Sequence, residues 1–305
     1  MKKLLLPIVL ICALVLSCGK SDPKAIVIGV MPDVDSIPFV IAQKNAYYEG
    51  AAVSIEHFKS AKDRDSALQS GRLDGVITDL LAVLFANDGG IKLIVPAKTY
   101  GDIKLLTSRS SSIKSLKELK DKKIGLSTNT IMEYTADKML ASAGILSISK
   151  AAIPHIPARL EMLNAGKIDV TILPEPLAGL AEKDGALTLL NLEGMSEDIS
   201  IGVIAFTENA LRLKEEQIKA LFKGYNRAVD YLASEPQKSY IDFVIKTQGF
   251  PENLGDSINL PKYGKAELPS EKNFNSALKW LKDKNLIKGS FEYTDIVDVN
   301  FLRQM

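Results

Sequence analysis

Ala67-Leu-Gln-Ser-Gly-Arg-Leu-Asp-Gly-Val-Ile-Thr78 is echoed later in the chain by Met162-Leu-Asn-Ala-Gly-Lys-Ile-Asp-Val-Thr-Ile-Leu173. Gly71, Arg72 and Asp74 correspond to Gly166, Lys167 and Asp169 at one constant offset. Each copy reads as a helix end, a glycine stop, a basic residue, an apolar residue, an aspartate and then a strand. Turns between helices and strands use this chemistry widely, so one copy alone says little. Two copies in matching surroundings predict two similar α/β lobes, each built around the same unit.

The surroundings repeat the same grammar. Ala25–Met31 is a β-branched run of strand length, broken by Pro32-Asp-Val-Asp-Ser36, and Pro38 sits at the first turn of a helix over Phe39–Tyr48. Strands are predicted at Val53–Phe58, Gly75–Thr78 and Ile91–Ala97, with helices at Ala61–Ser70 and Leu80–Asn87. The second stretch reads as a short helix from Leu116, capped by Ser115, then strand Lys123–Leu126 and helix Thr130–Ala143 ended by Gly144. Strand Ala152–Ile156, helix Ala158–Ala165 and strands Ile168–Leu173 and Ile201–Phe206 follow. Strands alternating with helices imply mostly parallel sheets with helices on both faces. The C-terminal part is helical. Ile218, Leu221, Phe222, Tyr225, Val229 and Leu232 recur at helical spacing within Leu211–Ser234, and Lys238–Gly249 and Glu271–Lys284 are further helices. These are expected to brace the first lobe, with short strand candidates near Ile258 and Tyr293 and with Trp280 as a packing residue.

The N-terminal residues read as an export signal. Lys2 and Lys3 precede an apolar run, Leu4–Leu16, shorter than the roughly 20 residues that span a bilayer. Val15-Leu-Ser-Cys18 resembles a bacterial lipobox, in which the cysteine carries the lipid (palmitate among its acyl chains), and 19–24 then reads as a tether. A short signal anchor or a buried N-terminal helix is the other reading. Cys12 lies inside the apolar run, so cleavage leaves Cys18 as the only cysteine, with no disulfide and no cysteine nucleophile in the body. The two histidines, His57 and His155, lie in different segments, which argues against a zinc site. The chain has 38 basic and 37 acidic residues, a balance that suggests neither a nucleic-acid surface nor a polybasic membrane patch. No cofactor is expected.

Four stretches carry a family resemblance. Ile37-Pro-Phe-Val-Ile-Ala-Gln-Lys-Asn-Ala-Tyr-Tyr-Glu49, Ala67–Asp79, Lys122-Lys-Ile-Gly-Leu-Ser-Thr-Asn-Thr130 and Ile168-Asp-Val-Thr-Ile-Leu-Pro-Glu-Pro176 together resemble the periplasmic binding proteins of the nitrate, sulfonate, taurine and thiamine-precursor group. Ala46 and Asn129 stand where that family usually has glycine. The resemblance covers about 25–205, and its weight lies in the order of the motifs rather than in any one of them. It implies a type II two-lobe clamshell in α/β architecture: residues 1–18 a signal peptide, 19–24 a tether, 25–108 and 201–305 the first lobe, and 109–200 the second. It further implies a monomeric, lipid-anchored, non-enzymatic solute receptor outside the cytoplasm. Such a receptor delivers a small-molecule ligand to the permease and ATPase of an ABC importer. An enzyme on the same fold, like a menaquinone-pathway dehydratase, and a sensor or adhesin reusing the clamshell are the alternatives.

In open α/β sheets ligands sit beyond the carboxyl ends of strands, which selects the loops to watch. The ligand-binding candidates are Asp33, Asp35, Ser36, Thr78, Asp79, Thr99, Tyr100, Ser127, Thr128, Asn129, Thr130, Tyr134, Arg159, Pro174 and Glu175. Ser127–Thr130 precedes a helix and either presents free N–H groups to an anion or simply caps. Glu175, stiffened between Pro174 and Pro176, reads as an acceptor for ligand N–H groups or as a solvated turn residue. Tyr134 is favoured for stacking on a ring, whereas Tyr47 and Tyr48 read as packing residues. With four acids against Lys98 and Arg159, the loops favour a ligand with N–H donors: an amino-pyrimidine, a flavin-like heterocycle or a zwitterion. A sulfonate or nitrate site would need donors to offset the anion.

Overall fold

The computed structural model describes residues 25–305; the expected signal peptide, Cys18 and the expected tether lie outside them. In chain order the elements are β1 Ile26–Val30, α1 Ile37–Lys44, β2 Val53–His57, α2 Ala61–Gln69, β3 Gly75–Asp79, α3 Leu80–Asp88 and β4 Leu93–Lys98. Then come β5 Ile103–Thr107, β6 Lys123–Leu126, α4 Ile131–Ser142, β7 Ser149–Ala152, α5 Ile156–Asn164, β8 Val170–Pro174, α6 Leu177–Lys183 and β9 Leu187–Asn191. The chain ends with β10 Gly202–Thr207, α7 Glu208–Leu213, α8 Glu215–Ser234, α9 Ile241–Gln248, α10 Glu271–Asp283 and α11 Tyr293–Ile296. No helix among the described residues is long and apolar enough to cross a membrane.

The strands form two five-stranded sheets with one topology, β2-β1-β3-β10-β4 and β7-β6-β8-β5-β9. The repeated unit has the same job in both. Asp74 Oδ2 accepts from Val27 N–H at 2.8 Å, and Asp169 Oδ2 accepts from Lys123 N–H at 3.0 Å, so each aspartate clasps the start of the neighbouring parallel strand. Gly71 and Gly166 take left-handed φ values of 75° and 66°, a turn that costs other residues a steric penalty. The apolar residue of each unit lies over a strand glycine. A Cβ on Gly29 would come within 2.6 Å of Leu73, and a Cβ on Gly125 within 2.6 Å of Ile168. The motif is thus a packing unit as well as a turn.

After each crossing the chain first adds an antiparallel strand to the sheet it enters. β5, the first strand after the chain leaves the first sheet, runs antiparallel between β8 and β9 of the second. β10, the first strand after the chain returns, runs antiparallel between β3 and β4 of the first. The outward crossing is therefore 99–102, before the boundary at 108 that the sequence reading gives to the first lobe, and β9 is a strand that reading lacks. The return crossing is 192–201. Near Ile258 there is no strand; Tyr293 opens the short helix α11, after which Val297 bridges Val95.

α8 buries Ile218, Leu221, Phe222, Tyr225 and Val229 as one stripe against the first lobe, where α1 lies beside it. The helix α10, which packs on α3, does more than brace that lobe. Tyr134 of α4 donates to Ser276 Oγ at 3.1 Å, Trp280 Nε1 donates to Asp137 at 3.0 Å, and Lys284 pairs with Glu133 at 2.7 Å. On the opposite side Lys183 Nζ donates to Asn253 O at 2.6 Å, and Asn259 donates to Glu182 at 3.1 Å. The two lobes are thus pressed together along both flanks, and the clamshell is closed.

Candidate functional site

The first-lobe wall of the seam forms where β1 and β4 end. Beyond β1 the chain turns through Met31–Ser36 into α1, and Asp33 Oδ1 accepts from Ser36 N–H at 3.2 Å and lies 3.0 Å from the Ser36 hydroxyl. Gln248, at the end of α9, donates to Ser36 Oγ at 2.6 Å, while its own buried Oε1 has no partner among the described residues. Thr99, just past β4, donates to Asp35 at 2.6 Å. Asp35 also packs against Gly101 and Gly202, one on the outward crossing and one where β10 begins after the return; a Cβ on either would strike its carboxylate or Thr99. Asp35 therefore sits at the hinge. Tyr263 closes the wall by donating to Val34 O at 2.7 Å.

Burial and the neighbouring Asp35 push the Asp33 carboxyl up to about 8, and burial raises Asp35 as well, against the opposing pull of Thr99. Two carboxyls this close in a poorly solvated recess share protons readily. Arg64, buried on α2, donates to Ile77 O at 2.7 Å and Thr78 Oγ1 at 3.1 Å, and its charge draws Asp33 and Asp79 down. Asp33, Asp35, Ser36 and Thr99 are thus brought together as the sequence reading groups them, and Thr78 joins them through Arg64.

Other candidates are engaged elsewhere. Asp79 caps α3, accepting from Ala82 N–H at 3.0 Å. Tyr100 donates to Glu267, and its ring lies against Gly264, so its hydroxyl is already committed. At the start of α4, Thr130 caps Met132 N–H at 3.2 Å and Ser127 donates to Pro154 O at 3.1 Å; Thr128 and Asn129 are exposed. The Asn129 N–H is taken by Glu133 at 2.6 Å. Burial alone would raise the Glu133 carboxyl, but Lys284, that N–H and Lys150 hold it down to about 2. The anion expected at this helix start is the protein's own. Tyr134 is fully buried edge-on to Trp280, ring centroids 5.9 Å apart, between the lobes.

Glu175 is not a solvated turn residue, and its carboxylate is already engaged within the protein. It is 1% exposed, pairs with Lys104 at 2.7 Å and accepts from Gly179 N–H at 3.0 Å. The peptide before Pro176 is cis. Pro174 ends β8 opposite Ile103. Arg159, in the first turn of α5, is fully buried. Arg64, Gln248, Tyr263, Lys104 and Glu133 were not legible as site residues. Gln248, Tyr263 and Lys104 act through partners far away in the chain, and no local pattern marks Arg64 or Glu133. Among the described residues no group of three His, Cys, Asp or Glu side chains is placed to hold a metal ion.

The family model described as "NMT1/THI5 like" matches residues 33–239. Comparison with curated protein sequences finds no match. Among solved structures, a ligand-binding component of an ABC-type import system from Staphylococcus aureus, with zinc bound, superposes with a TM-score of 0.76 at 18% identity, covering 92% of this chain and 98% of that one. The periplasmic aliphatic sulphonate binding protein SsuA from Escherichia coli gives 0.73 at 17% identity, covering 90% and 91%. The desulfurization enzyme DSZB gives 0.63 at 13% identity, covering 92% and 98%. At these identities the likeness is one of fold.

Proposed function

Because the chain belongs to the NMT1/THI5-like family, we propose that it is the solute-binding component of an ABC-type importer. It captures a small polar solute between its lobes and delivers it to a permease. The observation that carries this reading is the seam itself: two lobes of one topology, joined by two crossings, close polar and charged groups between them. The solute classes in view are a thiamine-precursor pyrimidine, a flavin-like heterocycle, or a sulfonate, taurine or nitrate. Binding to the closed form alone converts ligand free energy into closure. A saturating ligand is expected to raise unfolding stability by about 2.7 kcal/mol at a hundred-fold excess over its dissociation constant. A thermal-shift screen of sulfonates, nitrate, pyrimidines, flavins and amino acids reads this directly, and a flat response across the panel would count against the importer reading.

The same proposal places the protein outside the cytoplasm as a monomer, tethered by a lipid on Cys18. The segment after that cysteine would keep the receptor near its permease while leaving it free to turn. Cys18→Ala is expected to leave unprocessed precursor or to release the protein from membranes. Normal processing with unchanged membrane retention would remove the lipid from the account. An enzyme on this frame is the second reading, because a desulfurization enzyme shares it. A ligand found by the screen that is recovered chemically unchanged after long incubation favours capture over turnover.

A further inference from the structure

Three basic side chains are buried among the described residues: Arg64, Lys104 and Arg159. Arg64 is held by Ile77 O, Thr78 and Asp65, and Lys104 by Glu175 and Glu182. Arg159 differs. It is 0% exposed, and its Nε, Nη1 and Nη2 have no hydrogen-bond partner among the described residues. Burial lowers its pKa to about 10, and no neighbouring carboxylate offsets that shift. A guanidinium carries five donors and keeps its charge in protein interiors. Enclosing it without acceptors is among the costliest things a fold can do.

Its position says where acceptors would come from. Arg159 lies on the buried stripe of α5 with Leu160 and Leu163, in the turn nearest the helix start. Side chains on a helix lean toward its N-terminus. The start of α5 lies just beyond the carboxyl end of β7, which is the edge of the sheet where ligands of such folds sit. The cluster containing Leu160 and Leu163 continues through α6 into the first lobe. The turn that carries the guanidinium thus stands at the ligand edge of the second lobe, and the guanidinium is shielded from water.

We propose that Arg159 is the anchor for an oxyanion on the captured solute — a sulfonate, carboxylate or phosphate — and that it makes closure conditional on that group. The inference rests on the solute-binding reading and deepens it. A planar oxyanion edge accepts two parallel bonds from the guanidinium fork, and such charge-assisted pairs are the stronger kind. Closing over a bare guanidinium strips its hydration for nothing in return, so the empty clamshell favours the open form. With the oxyanion present the same burial strengthens the pair. The acid pair Asp33 and Asp35 on the opposite wall suits an N–H or ammonium group at the other end of the same solute.

The test uses the full chain, with thermal shift and calorimetry on wild type, Arg159→Met and Arg159→Lys. The probes are ethanesulfonate, taurine, acetate, inorganic phosphate and nitrate, with thiamine and riboflavin as solutes lacking an oxyanion. Wild type is expected to respond to at least one oxyanion probe. Arg159→Met should weaken that binding at least a hundred-fold while its ligand-free melting temperature holds or rises, because a buried cation has been replaced by an apolar chain of similar length. Arg159→Lys should retain part of the affinity. Unchanged oxyanion affinity in Arg159→Met, or a fall in its ligand-free melting temperature with affinity intact, would overturn the proposal and make Arg159 structural. A wild type that answers only thiamine or riboflavin would overturn it too while leaving the importer reading standing. A wild type that answers no probe would remove both.

Discussion

Replacing Lys104 by Met is expected to cost the folded protein about 3–5 kcal/mol, the usual penalty for removing one partner of a buried ion pair. Lys104 Nζ lies 2.7 Å from Glu175 and 2.9 Å from Glu182, with side-chain exposures of 7%, 0% and 30% in turn. Without the lysine, the Glu175 carboxylate keeps only the Gly179 N–H at 3.0 Å. Burial already raises the Glu175 carboxyl, and Lys104 is the main influence drawing it back. The variant therefore either buries an uncompensated charge or protonates Glu175. The double variant Lys104→Met/Glu175→Gln should recover much of the loss, since it removes both charges together. Urea unfolding of the three proteins measures this. A loss below about 1 kcal/mol in the single variant, the range of exposed pairs, would mean that solvent reaches the pair.

The second large effect is a pH profile. Asp33 titrates at about 8 in the folded protein, against an ordinary value of 3.8 for its carboxyl. The folded state therefore holds a proton that the unfolded chain gives up between those values. Stability is expected to fall as pH rises through that window, since the folded state binds the extra proton. Each tenfold difference in proton affinity between the two states corresponds to about 1.4 kcal/mol. Asp33→Asn retains an acceptor for the Ser36 N–H and cannot ionise, so it should flatten the slope and raise the melting temperature at pH 8. His57 opposes the trend, because burial lowers its pKa, but it is common to both proteins and drops out of the comparison. Equal slopes from pH 5 to 9 in wild type and variant would show that Asp33 is ionised throughout.

Glu175 and Asp33 both stand out in the sequence, but only for Asp33 does the sequence also offer the partners, Asp35 and Ser36. Glu175 between two prolines reads as a presented carboxylate, yet β5 runs antiparallel beside β8 and brings Lys104 against it. Tyr134 stands one turn into a helix that begins at the seam, yet its ring turns toward α10. Ser127–Thr130 could have capped or bound; Glu133, one turn further on, decides for capping by taking the loop's N–H group. In each case the deciding contact comes from the helical face or the neighbouring strand.

Consecutive residues were enough to settle the α/β alternation, the doubled unit at Gly71–Asp74 and Gly166–Asp169, and the apolar stripe of α8. They also grouped Asp33, Asp35, Ser36 and Thr99 at strand ends, where the fold brings them together. These are local matters: a glycine stop, a burial period and a strand end are written within a few positions of one another. Three-dimensional packing settled the rest: where each antiparallel strand inserts in its sheet, which charges find a partner, and that Arg159 is buried without one among the described residues. Strand insertion and ion pairing join residues far apart in the chain, and the cost of a buried charge depends on everything packed around it.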